Sequence, residues 1–246
     1  MAHQQFIKPS NNYRLRTYLL IVVGLIGSMA SAQLFSKERI KNRENFDKQQ
    51  LTFGFYMGLN AYDYKFDYNE ITDEIATKRT VGFNVGVVSD LRINEYLNLR
   101  FEPGVAFVRR DLNFTDPSFT SPEQLIREVN STYVHLPVLL KVSTKRLNNW
   151  KPFVIGGVSY SHNLSSNEDN PDDNSAGQFR QKTGVLNYEM GVGVDIYLPY
   201  FKFTPSLRGV FAITDELVRD VDPDSPYTGS VDSMLSRGIF LNFTFQ

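Results

Sequence analysis

Glu189 and Asp195 stand six positions apart in the stretch NYEMGVGVDIYLP (187–199), and paired carboxylates are the raw material of general acid–base chemistry. Six residues of extended chain cover about 20 Å, so these two cannot act as one pair. Other candidates recur in the same kind of setting. Arg100, Glu102, Lys141, Lys202 and Arg208 each alternate with apolar neighbours, as do Tyr56 and His135. A hydrolase would need a histidine beside a serine and a carboxylate. His135 is one candidate, and His162, next to Ser161, could meet Asp215 or Glu216. Neither G-x-S-x-G nor H-E-x-x-H occurs. There is no cysteine, which excludes thiolate metal sites and cysteine nucleophiles, and three scattered histidines make a poor metal cluster. NEDNPDDN (167–174) is acidic but lacks the spacing of a calcium loop, and DPDSPYTG (222–229) is rich in turn residues. Both read as solvated loops. No catalytic residue, metal or cofactor is expected.

The elements that carry these residues are strands. In 187–199, Tyr188, Met190, Val192, Val194, Ile196 and Leu198 share one face, opposite Glu189, Gly191, Gly193, Asp195 and Tyr197. Seven more runs follow the same period: 51–66, 80–90, 97–110, 132–143, 151–160, 201–213 and 237–246. Only KPFVIGGVSY (151–160) fails to distinguish its two faces. Many runs reach the roughly 9 to 11 residues that a tilted membrane-spanning strand requires. The links alternate between long polar ones (67–79, 111–131, 163–187, 214–233) and short ones (90–96, 144–150, 199–200). Long loops at one end and tight turns at the other are the layout of outer-membrane barrels.

A secreted lipocalin-like barrel or a β-sandwich also alternates, and alternation alone does not say which face is inside. Three features favour the membrane. Glycine and ionic residues crowd the polar faces, aromatics gather near strand ends, and loop lengths alternate. The expected fold is all-β, an eight-stranded antiparallel transmembrane β-barrel of outer-membrane type with both termini periplasmic. The polar faces of Arg100, Glu102, Lys141, Glu189, Asp195, Lys202 and Arg208 then converge in the lumen. Their mixed signs permit a structural network of ion pairs, and eight strands leave no room for an open channel.

The N-terminus reads as a leader. Arg14 and Arg16 precede the apolar YLLIVVGLIG (18–27), and Ala30-Ser31-Ala32 places cleavage between Ala32 and Gln33. Ten apolar residues are too few for a transmembrane helix. Residues 1–32 are thus expected as a signal peptide, 33–50 as a charged periplasmic segment and 51–246 as the barrel. The charged segment reads as a solvated tail or short helix, or as a docking element for a partner. With 26 basic and 27 acidic residues, nothing attracts nucleic acid. A mean hydropathy of -0.30 does not argue against a barrel, because only half of each strand need be apolar.

TYVHLPVLLKVS followed by KPFVIGGVSY, and then NYEMGVGVDIYL, resembles the Y-x-x-x-P-x-L-L-K, P-F-x-x-x-G and G-x-G-x-D strands of Bacteroidetes outer-membrane β-barrel proteins. Residues 35–68, with the charged segment before the first strand, resemble specifically the PorT-like family, SprT-like in gliding bacteria. That resemblance implies a non-enzymatic role in type IX protein secretion and gliding motility, with outer-membrane lipid and other secretion-system proteins as partners. It carries no catalytic motif. One departure is the end of the chain, where Phe245 is penultimate and Gln246 last. The alternatives are a generic structural or adhesion barrel with ligand-binding loops, and an outer-membrane hydrolase.

Overall fold

The computed structural model describes residues 41–69, 75–114, 125–168, 179–220, 225 and 227–246. The expected leader 1–32, its cleavage point at Ala32 and Gln33, residues 33–40, and the loop stretches 169–174, 222–224 and 226 lie outside them. The chain divides into units Met1–Lys41 and Asn42–Gln246, and the second is described below.

Ten strands run in chain order: β1 Leu51–Tyr68, β2 Ala76–Arg79, β3 Val81–Arg92, β4 Leu97–Phe101, β5 Gly104–Asn113, β6 Ile126–Ser143, β7 Trp150–Asn163, β8 Gly184–Tyr197, β9 Lys202–Ala212 and β10 Val231–Phe245. They make eight staves. β4 and β5 both lie between β3 and β6, interrupted where Pro103 has no N–H to give the ladder. β2 and β3 are likewise one stave with a bulge at Thr80. Phe83 pairs with Phe107, but Arg79 pairs with Arg110, a register slip of one residue. β1 pairs with β3 on one side and with β10 on the other, so the antiparallel sheet closes into a ring.

The stagger of that ring can be read from its register. Starting at Phe53, the paired residues run Ser89, Phe101, Val138, Val158, Tyr188, Phe211 and Arg237, and return to β1 at Asp63. The path comes back ten residues from its start. Eight strands with that stagger tilt by about 40° to the barrel axis. Eleven residues, such as Leu51 to Ala61, then rise ~26 Å, close to the apolar band of an outer-membrane barrel.

The outer face supplies that band. Leu51, Phe53, Phe55, Met57 and Leu59 of β1, and Val81, Phe83, Val85 and Val87 of β3, all stand exposed. At its lower edge, near the chain ends and the short turns, aromatic rings pack side by side, Phe55 on Phe245 at 5.2 Å and Phe203 on Phe243 at 6.0 Å. Above the band the polarity reverses. Inward residues there are apolar or aromatic: Tyr64, Leu112, Phe114, Val129, Phe179, Leu217, Tyr227, Val231 and Met234 form one buried cluster. The outward positions are charged, with Asp63, Arg109 and Arg237 following Ala61, Phe107 and Ile239. The upper barrel is therefore built like a water-soluble one.

This reversal lengthens the strands beyond the expected runs. β6 starts at Ile126 rather than 132, β8 at Gly184 rather than 187, and β10 at Val231 rather than 237, while β2 falls within the expected loop 67–79. The indistinct faces of 151–160 have a simple cause. Phe153 and Ile155 of β7 point inward and pack with Leu139, so both faces carry apolar residues.

Candidate functional site

All seven charged residues expected in the lumen are buried there: Arg100, Glu102, Lys141, Glu189, Asp195, Lys202 and Arg208. Each occupies an inward position set by strand parity, and closure brings staves from opposite sides of the ring together. Arg100 Nη2 lies 2.8 Å from Glu102 Oε1, and Arg208 Nη1 lies 2.9 Å from Glu102 Oε2. Arg208 Nε reaches Glu189 Oε2 at 3.1 Å, and His135 Nε2 lies 2.8 Å from Glu189 Oε1. Asp90 extends the chain at the other end, with Oδ2 3.6 Å from Arg100 Nε. Charges thus alternate in sign across the lumen, as burial in a low-dielectric interior demands.

Asp195 does not join that chain. It accepts from Lys141 Nζ at 2.6 Å and from Thr204 Oγ1 at 2.8 Å. Lys202 turns toward the ring of Phe46, 4.8 Å away, rather than forming a direct ion pair among the described residues. With Asp90 included, four carboxylates face these four cations, and Lys151, buried on the inward parity of β7, adds a fifth cation at the short-turn end. Asp90 and Lys151 were not among the seven charges expected there. Carrying the alternation of Gly82, Asn84 and Gly86 forward along β3 would have placed Asp90 inside, whereas the indistinct faces of 151–160 hid Lys151.

Room for these side chains comes from glycines. A Cβ on Gly104 would fall 2.2 Å from Tyr56 Oη, and one on Gly193 would fall 2.4 Å from the Phe153 ring. Tyr56 spans that space and donates to the Glu102 carbonyl at 3.2 Å.

Ser161, His135 and Glu189 have the residue types of a hydrolytic triad. Ser161 Oγ is 2.8 Å from His135 Nδ1, and an imidazole with its hydrogen on Nε2 satisfies both neighbours. The surroundings oppose catalysis. All three are buried in the packed lumen, Glu189 is shared with Arg208, and Ser161 Oγ also accepts from Asn187 Nδ2 at 3.0 Å. Backbone N–H groups at this level are committed to the sheet ladders rather than aimed at an oxyanion position. His162 is elsewhere, on the outward parity of β7 with its ring near Tyr160. It makes no contact with Asp215 or Glu216 among the described residues. Asp215 accepts from the amides of Leu217 and Met234, and buried Glu216 accepts from the Ser236 amide.

Residues 42–48 fold beneath the mouth at the short-turn end. Phe46, in a 3-10 turn (Phe46–Lys48), is buried between the Arg43 guanidinium at 4.4 Å and Lys202. Asp47 accepts from Tyr197 Oη, and Arg146 donates to the carbonyls of Asn42 and Arg43 while stacking on Tyr197 at 3.7 Å. Arg43 donates to the carbonyls of Tyr200 and Gln246, both at 3.1 Å. From Asn42 on, the charged segment is part of the barrel unit. At the far end the apolar cluster holds Arg110, stacked on Tyr64 at 3.8 Å and bonded to Ser236 and Tyr133. Side chains therefore occupy the axis from Phe46 to the upper cluster.

A closed eight-stranded ring with an apolar outer band, an ion-paired interior and loops of unequal length at its two ends is an outer-membrane β-barrel. Residues 32–218 match the family described as outer membrane protein beta-barrel domain, and the chain belongs to that family. It is an outer-membrane protein whose outer band contacts lipid. No curated protein matches the chain significantly. Among solved structures it is similar to Neisserial surface protein A (14% identity, 77% of this chain and 95% of that one, TM-score 0.40). It is also similar to OprG of Pseudomonas aeruginosa (13%, 79% and 93%, 0.40) and to Ail of Yersinia pestis (13%, 78% and 96%, 0.37).

Proposed function

We propose that this barrel acts without catalysis, as an anchoring component of a type IX protein-secretion apparatus that also supports gliding motility. The observation that carries the reading is the clamp on residues 42–48. An axis filled with side chains argues against a conduit for solutes. The pinned segment gives the chain a defined point of attachment at the periplasmic mouth, and residues 33–41, which precede it in sequence, are assigned to binding secretion-system proteins. The resemblance of residues 35–68 to the PorT-like family supports the same role. The charged lumen serves structure in this reading, holding opposite walls together.

The test is affinity purification from the outer membrane with the intact chain and with residues 34–41 deleted, leaving the clamp in place. Secretion components retained only by the intact chain support the role, and a deletion strain that secretes and glides normally removes it. The collar above the apolar band favours a second reading, a generic structural or adhesion barrel whose long loops bind an extracellular ligand. Deleting 167–174 would then abolish binding and leave secretion intact.

A further inference from the structure

Immediately above the apolar band, two arginines converge on one carboxylate oxygen. Arg79 Nη2 lies 2.7 Å from Asp63 Oδ2, and Arg237 reaches the same oxygen through Nη2 at 2.8 Å and Nε at 3.2 Å. The two guanidinium side chains are 57% and 49% exposed, while the Asp63 side chain is 10% exposed. Two positive charges against one leave an excess of one. Most of the five N–H donors on each guanidinium remain unused by Asp63. The next ion pair toward the loops, Lys65 with Asp67, is internally neutral.

The position of this pair gives it meaning. One outward step below it stand Ile239 and Val81, exposed at 54% and 68% on the lipid-facing band. Arg79 is followed directly by Thr80, which begins a shallow groove of about 270 Å³. That groove runs over Val81, Phe83 and Phe107 to Arg109, and its two phenylalanine rings stack at 4.6 Å. Arg109 is itself neutralised, 2.6 Å from Glu128 and 3.6 Å from Asp111. Among the described residues the Arg79–Arg237 pair therefore carries an excess positive charge, and it lies at the level where hydrocarbon gives way to headgroups.

We propose that Arg79 and Arg237 bind the phosphate of an acylated lipid of the outer leaflet, with one acyl chain laid in the groove from Thr80 to Phe107. Guanidinium forks match phosphate oxygens in geometry and hold them by charge-assisted hydrogen bonds. A free anion at such exposed arginines would be held weakly, because water and salt screen the contact. An acyl chain changes that balance. It adds apolar contact on a surface already facing lipid, and it keeps the phosphate at the right depth. Asp63 positions both arginines and competes with the ligand for them.

The full chain, in phosphatidylcholine nanodiscs doped with bis-phosphorylated lipid A or with the same lipid stripped of phosphate, tests this by native mass spectrometry. One phosphorylated lipid should remain bound after the bulk lipid is released. The Arg79→Gln/Arg237→Gln pair should lower that retention at least tenfold and leave the dephosphorylated lipid unaffected. Asp63→Asn should raise retention several-fold, because both guanidiniums are freed. Equal retention by the double variant, or weaker retention by Asp63→Asn, overturns the proposal. Competition by millimolar inorganic phosphate also overturns it, in favour of a simple anion site. Heat-modifiable gel mobility reports folding, and if the double variant fails to fold the Asp63→Asn result decides alone.

Discussion

Arg208 of β9 meets Glu102, between β4 and β5, at 2.9 Å across the diameter of the barrel, joining two staves that share no ladder. Arg208 also holds Glu189, so one guanidinium compensates two buried carboxylates. Breaking a buried pair from one side costs about 3 to 5 kcal/mol, since the remaining charge is stranded. Arg208→Met should destabilise the refolded barrel by that order in urea titrations in detergent. Adding Glu189→Gln should recover part of the loss, because Glu102 keeps its pairing with Arg100 and no stranded carboxylate then remains.

Phe46 is the apolar anchor of the clamped segment, and Arg146 its main polar tie. Losing a buried phenyl ring costs about 3 kcal/mol, which corresponds to an increase in local opening on the order of 100-fold. Phe46→Ala should therefore speed tryptic cleavage at Arg43 and Lys48 by roughly that factor. The membrane-embedded strands should remain resistant. Arg146→Ala should act in the same direction, and unchanged cleavage in both variants would mean the segment is not held by these contacts.

Ser161 should be inert despite its neighbours. A fluorophosphonate reagent should not label the folded protein, and Ser161→Ala and His135→Gln should leave secretion and motility unchanged at equal expression. His162→Ala should be equally silent, since its ring lies on the outer wall. Labelling at Ser161 would reinstate the hydrolase reading.

Glu216, in the loop segment after β9 and outside the membrane, gives a pH dependence. Burial pushes its carboxyl above the ordinary value of 4.5, outweighing the Arg110 charge, with Asp215 adding to the rise. A raised carboxyl favours the folded state while protonated, so its contribution is present below pH 4.5 and lost as pH rises through the raised value. The stability difference between Glu216→Gln and the natural protein should thus shift toward the variant from pH 4 to pH 8. Thermal melts at the two pH values measure it, and a shift of the opposite sign would place the charged carboxylate as the stabilising form.

The sequence by itself determined the barrel, because a period of two is imposed locally and needs no tertiary information to be read. Outward Met190 and Val192, and inward Glu189 and Asp195, are assigned by parity once one face meets lipid. Loop lengths are likewise covalent facts. Partner choice was a different matter. Asp195 pairs with Lys141 rather than with Arg100, Lys202 or Arg208, and that follows from a stagger of ten residues around a closed ring. Stagger sums the registers of all eight staves, and no single strand contains it. The upper collar was hidden for a related reason. Above the membrane the solvent outside changes from lipid to water, so Tyr64 and Met234 turn inward on strands whose lower halves obey the opposite rule. The clamp of residues 42–48 was hidden because its contacts are made by Arg146, Tyr197 and Lys202, each about 100 or more residues away along the chain. Local pattern sets which way a side chain points, and only closure of the ring decides what it meets there.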